Sequence, residues 1–207
     1  MTATAPLAPP GFDEEVARAE IYGLLAQLYY APPTPELLAA LRAAPPQAPD
    51  DGGFLEAPWQ DLVNAAAAHD DAAIVGEYDT LFGGMGKPEV YLFGSHYLTG
   101  FLNEKPLVGL RNDLGALGLA RDPQMPETED HIAYLCEVMR CLIAGDAGPM
   151  ASLEQQRSFF TTHIQPWVQD MGTAIIAHPR ARFYARLAAF TQAFASVETQ
   201  GFDMLGE

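Results

Sequence analysis

"TEDHIAYLCEVMRCLIA", residues 128–144, reads as a helix from its spacing alone. Counting from Ile132, apolar side chains recur at Leu135, Cys136, Met139, Leu142 and Ile143. That is the i, i+3, i+4, i+7 progression of one helix face. Glu129 and Asp130 sit at its start, where acids suit the positive end of the helix dipole, and Thr128 stands where an N-cap is expected. His131 is the residue this pattern does not explain, because a positive imidazole is disfavoured at a helix N-terminus unless a carboxylate holds it.

The same period recurs along the chain. Phe183, Leu187, Phe190, Phe194 and Val197 form one stripe near the C-terminus. Upstream of it, Phe160, Ile164, Trp167, Val168, Met171 and Ile175 share a face, with Pro166 either kinking that helix or starting a new one. Residues 12–30 begin with acids and run to Tyr30, and Thr34 with Pro35 opens a short second helix. Residues 59–70, 70–82 and 105–119 add further helical patterns. No strand alternation of useful length and no internal repeat accompanies them. The expected fold is an all-α bundle of about eight or more helices. Its expected organisation is a loose tail over 1–11, one domain over 12–196, and a C-terminal tail over 197–207. Within the domain, halves 12–82 and 96–196 flank a connector, 83–95. Gly83, Gly84 and Gly86 make that connector a candidate hinge, which leaves a monomer and a domain-swapped dimer both open.

Composition narrows the function. The chain has 207 residues, 49% of them hydrophobic, and a net charge of −16. Residues 1–82 hold 13 acids against Arg18 and Arg42, so the skew is strongest in the first part. Such a field repels nucleic acid and anionic membranes and attracts cationic peptides. Cys136 and Cys141, five apart on one helix, cannot bridge without unwinding it, and no C-x-x-C occurs. This fits a reducing cytoplasm. The N-terminal "MTATAPLAPPG" has neither the basic residue nor the apolar run of a secretory signal, and no membrane span is expected.

Chemical motifs fail one after another. "LFGGMGK" (81–87) has leucine where a P-loop needs its first glycine, and Pro88 where it needs a hydroxyl. No histidine has a glutamate three residues before it, and H-E-x-x-H is absent, so neither a di-iron nor a zinc site is expected. Ser95 lies in "FGSHY", not G-x-S-x-G. No catalytic set, metal or cofactor is expected. What remains is a stretch of aromatics beside bare backbone, "YLFGSHYL" (91–98), and the acidic-histidine segment "PETEDH" (126–131). Glycines let another chain approach closely and aromatics anchor it, so "YLFGSHYL" reads as part of a groove for a peptide.

At these residues the chain resembles the TorD-like chaperones that mature molybdenum-containing redox enzymes, a group with DmsD and NarJ branches. "EYDTLFGG" (77–84), "YLFGSHYL" (91–98), "PETEDHIAYL" (126–135), "FTTHIQPW" (160–167) and "RFYARLA" (182–188) occur in the family's order and cover roughly residues 12–196. The family's Glu-Pro-x-Asp-His motif is matched by Glu127, Asp130 and His131, with Thr128 replacing the proline. The resemblance implies an all-helical, non-catalytic cytoplasmic protein. It implies as partners the twin-arginine signal peptide and apo form of a molybdoenzyme, held back from export until cofactor insertion. It carries over Tyr78, Leu81, Phe82, Tyr91, Ser95, Tyr97, Glu127, Asp130 and His131 as peptide-binding residues, and Glu129 joins them on charge; with it, Leu81–Leu98 is expected as connector and one wall of a peptide groove and the "PETEDH" helix start as the other. Guanine-nucleotide binding, attributed to some relatives, has no P-loop here to support it. A second reading is an all-α enzyme or small-molecule-binding bundle that uses His131 with Glu127 or Asp130 as an acid–base pair.

Overall fold

The computed structural model describes residues 12–45, 53–83, 87–102, 105–120, 126–145 and 151–204. Every regular element among them is an α-helix, and there are ten. They are α1 (Phe12–Tyr30), α2 (Pro35–Ala43), α3 (Glu56–Ala68), α4 (Asp71–Leu81) and α5 (Gly94–Thr99), then α6 (Lys105–Ala116), α7 (Ile132–Ala144), α8 (Leu153–His163), α9 (Gln165–Ala177) and α10 (Phe183–Met204).

Local chemistry sets most of the boundaries. Thr34 accepts a hydrogen bond from Leu37 N at 3.2 Å to open α2, and Asp70 accepts from Ala73 N at 2.8 Å to open α4. Ser152 and Gln155 form a reciprocal capping box at α8. The break before Pro166 is a true boundary: α8 stops at His163, and α9 starts at Gln165 with the proline in its first turn. Two boundaries differ from the sequence reading. The helix expected from residue 128 begins at Ile132, one turn later, and its N-cap is His131 rather than Thr128. The last helix runs on to Met204, past the point where a tail was expected. Its buried face continues through Glu198 and Phe202, so packing carries the helix beyond the stripe visible in sequence.

The apolar stripes face one shared core. All six stripe residues of α7 are buried, as are the six named across α8 and α9 and the first four of α10. Val197 is only partly so. α1 lies along α7, while α10 packs on α9, α3 and α4, and α5 sits against α9 and α6. Helices from before the connector therefore pack directly on helices from after it. No helix among the described residues is long and apolar enough to cross a membrane.

A buried ion pair ties the first helix to the last. Arg18 grips Glu198 with Nε at 2.7 Å and Nη2 at 2.8 Å. Tyr22 donates to the same carboxylate at 2.9 Å, and Arg18 Nη1 also reaches Glu15 at 2.8 Å. The pair holds only together, because removing Glu198 leaves the largely buried Arg18 with Glu15 alone as an acidic partner among the described residues. We expect Glu198→Ala to lower stability by about 3–5 kcal/mol in urea unfolding, while Arg18→Met with Glu198→Leu recovers most of that loss. Equal losses in the single and double variants would show that packing, not charge, sets the effect.

Candidate functional site

The connector is pinned before it reaches the site. Val90 N donates to Leu81 O at 2.9 Å, and Glu89 bonds His178 at 2.7 Å and also pairs with Arg180. The chain then runs antiparallel to the entry of α7 in an isolated bridge between Phe93 and His131. Gly94 N donates to Asp130 O at 2.9 Å, and Ile132 N donates to Leu92 O at 2.8 Å. The two expected groove walls are thus hydrogen-bonded to each other, not facing across a gap.

Asp130 completes the joint. Its carboxylate accepts from Ser95 N at 2.8 Å and from the Thr128 hydroxyl at 2.6 Å. Phe93 offers no side-chain cap to α5, so the cap comes from Asp130 across the bridge. Gly94 is required here because a Cβ would stand 2.9 Å from the Trp167 indole nitrogen. Trp167 is itself oriented by donating to His163 O at 2.6 Å.

His131 resolves the anomaly of a histidine at a helix start. It is buried, and its Nδ1 accepts from Ala133 N at 3.2 Å, doing the work of a capping oxygen. An acceptor Nδ1 requires a neutral ring. Burial pushes the imidazole down to about 4 against the opposing charge of Asp130. The ring meets Phe93 edge-on at 4.9 Å. A buried imidazole whose lone pair already serves a backbone N–H does not favour the acid–base reading.

The three acids of the segment have separate fates. Glu129 takes a two-pronged bond from Arg111, both contacts at 2.9 Å, which fastens α6 to the α7 entry. Asp130 is committed to Ser95 and Thr128. The half-buried Glu127 makes no hydrogen bond or ion pair with the described residues. Its charge, after burial, helps push the Tyr78 hydroxyl up to about 12. Tyr78 donates to Tyr30 O at 2.9 Å and to Tyr29 O at 3.3 Å. The exposed Tyr30 ring lies 5.9 Å from Tyr134, whose ring is 5.9 Å from His131. Tyr78, on which the Glu127 charge acts, is thus bonded to the end of α1, and from Tyr30 a run of aromatic rings leads to the bridge.

The other expected residues fall into two groups. Phe82 joins Tyr78 and Tyr184 in edge-on contacts at 5.3 and 5.0 Å, over a fully buried Leu81. Tyr91 stacks on His96 at 4.3 Å and accepts the Tyr97 hydroxyl at its carbonyl at 2.8 Å, while Tyr97 stacks on Trp167 at 5.7 Å. Ser95 is buried. Leu81 and Ser95 thus shape the site from beneath. Gly84 and Gly86 of the proposed hinge lie outside the described residues. Sequence reasoning missed Tyr30, Tyr134, Arg111 and Trp167. Tyr134, three residues after His131, and Trp167, at the end of "FTTHIQPW", carried a signal.

Residues 49–172 match a family model described as the nitrate reductase delta subunit, more than half of the chain. The chain belongs to this family. It is also 27% identical over 201 residues, spanning 89% of this chain and 92% of the relative, to the chaperone protein TorD of Shewanella loihica (strain ATCC BAA-1088 / PV-4). The resemblance to TorD-like maturation chaperones therefore holds. In this delta-subunit-family chain the matched span contains the bridge, the three acids and Trp167.

A neutral His131 gives the fold a pH dependence of known sign. The folded-state pKa, about 4, lies below the ordinary value of 6.5, so the unfolded chain takes up the proton first as pH falls. The contribution is complete above pH 6.5 and is lost as pH drops through 4, on the order of 3 kcal/mol. His131→Asn keeps a capping acceptor and does not titrate. Urea unfolding at pH 7.5 and 4.5 should show a smaller loss in the Asn variant than in the wild type. Identical losses would remove His131 as the titrating group.

Proposed function

We propose that this protein is a cytoplasmic maturation chaperone that binds the twin-arginine signal peptide and apo form of a molybdoenzyme, assists cofactor insertion and holds back export, with no catalysis of its own. The observation that carries the reading is Glu127: a half-buried carboxylate with no cationic partner among the described residues, whose charge acts on the Tyr78 hydroxyl. A guanidinium suits that place on two counts. It pairs with a carboxylate in two-pronged geometry, and it lies well on aromatic rings. The family membership and the TorD relative support the same partner class. The net charge of −16 steers a cationic ligand toward the protein.

Glu127, Tyr78 and Tyr30 are the residues proposed to touch the arginines. Phe82, Tyr91 and Tyr97 border them, and Leu81, Ser95, Glu129, Asp130 and His131 hold the surface in shape. The test is fluorescence anisotropy with a labelled signal peptide carrying two arginines and a second carrying two glutamines. The wild type should favour the arginine peptide. Glu127→Gln should lose most of that preference, about 1.5–3 kcal/mol for a charged hydrogen bond out of water. The association rate should fall as salt rises past the point where the Debye length is about 8 Å. Equal binding of both peptides by the wild type would overturn the proposal.

A further inference from the structure

Arg111 stands on α6 one residue past the buried Leu110, on a helix that packs against α5. Its guanidinium reaches Glu129 through Nε and Nη2, each at 2.9 Å. The two partners differ in exposure: the Glu129 side chain is 10% exposed and that of Arg111 48%. The guanidinium therefore lies on the solvent side of the carboxylate and covers it. The hydrogen bond to Glu129 pushes the Arg111 guanidinium up from its ordinary value, and the Asp130 charge adds to the effect. One arginine thus sits in the field of both acids nearest the bridge. Glu127, two residues earlier, has no cationic partner among the described residues.

The covered pair reproduces the bond that an incoming arginine makes. Two parallel N–H to oxygen bonds between guanidinium and carboxylate are the geometry by which arginine recognises an acid. Glu129 is therefore shaped as a guanidinium receptor, and the chain fills that receptor from within. Spacing shows what this prevents. The Cα atoms of Glu127 and Glu129 stand at most about 7 Å apart, and those of adjacent arginines in a peptide about 3.8 Å apart. Two uncovered acids so close together would accept an arginine pair in either of two alignments. With Glu129 covered, one alignment is left. Discrimination of this kind comes from removing an alternative, not from adding a contact.

We propose that Arg111 is a specificity-determining residue: it occupies Glu129 as an internal stand-in for a ligand arginine, so that a cationic peptide is read at Glu127 and in one alignment. The inference rests on the peptide-binding reading above. Arg111 itself touches no ligand and acts by withholding Glu129. Its removal therefore yields a gain of binding, which damage to the fold does not produce.

The test uses the two labelled signal peptides, with two arginines or two glutamines, in anisotropy titrations of the full chain. Arg111→Gln should bind the arginine peptide about tenfold more tightly than the wild type does, the equivalent of one added charged hydrogen bond. Arg111→Gln with Glu127→Gln should show an arginine preference that Glu127→Gln alone has largely lost, and adding Glu129→Gln should remove it. Glu129→Gln by itself should leave the wild-type preference unchanged. Circular dichroism and the melting temperature check that each variant folds. If Arg111→Gln does not, Arg111→Lys keeps the charge without the two-pronged bond and should show a smaller gain that also requires Glu129. No gain in the Arg111 variants, or loss of the arginine preference in Glu129→Gln alone, would overturn the role of Arg111 and leave the chaperone reading intact. A wild type that binds both peptides equally would bring down both.

Discussion

The antiparallel bridge between Leu92–Gly94 and Asp130–Ile132 is the constraint on which the rest of the site depends. Two backbone hydrogen bonds of 2.9 and 2.8 Å join segments far apart in sequence. The Asp130 side chain adds a third bond, to Ser95 N at 2.8 Å. With that joint made, the start of α5 is capped, Gly94 lies against Trp167, and His131 is enclosed beside Phe93. Without it, Asp130 would be a buried charge with one partner fewer, and the first backbone amides of α5 would lose their acceptor. Losses of that kind are larger than the gain from any single bond, because a buried group left unpaired carries its whole desolvation cost.

The bridge also explains why three acids in four positions do different things. Asp130 faces the joint and is consumed by it. Glu129 points to α6 and meets Arg111. Glu127 precedes the turn and is left near Tyr78, half in water. A carboxylate that is already hydrogen-bonded twice gains little from a new cation, since binding would first have to break what is there. One that is half in water and has no such bonds loses less on binding and gains a charged partner. The proposed recognition by charge therefore concentrates on one acid, although the sequence presents three as equivalents.

The packing sets limits on motion as well. α1 lies on α7 and is tied to α10 through Arg18 and Glu198, so the N-terminal helices share a core with the C-terminal ones. Opening the molecule as two halves about the connector would expose the face of α7 and break that buried pair. Side-chain adjustment around the aromatic run asks far less. Interiors packed at crystal-like density favour such local adjustment over separation of the core.

The sequence alone determined the elements: helix periods, the Thr34 cap, an interruption at Pro166 (kink or new start), and the acidic charge. These depend on neighbours within a turn or two, so spacing is enough to read them. It also marked the two segments that form the site, through glycines beside aromatics and an acid cluster with a histidine. Tertiary structure alone decided what each residue does there. His131 caps α7 in place of Thr128 because burial neutralises its ring, and burial comes from Phe93 and the rest of the core rather than from its sequence neighbours. Glu129 is taken by Arg111, 18 positions away, and Tyr30 reaches Tyr134 from the end of α1. Helical period is a local property, whereas solvent exclusion and charge pairing are set by segments distant in the chain, and no spacing rule records which of them will meet.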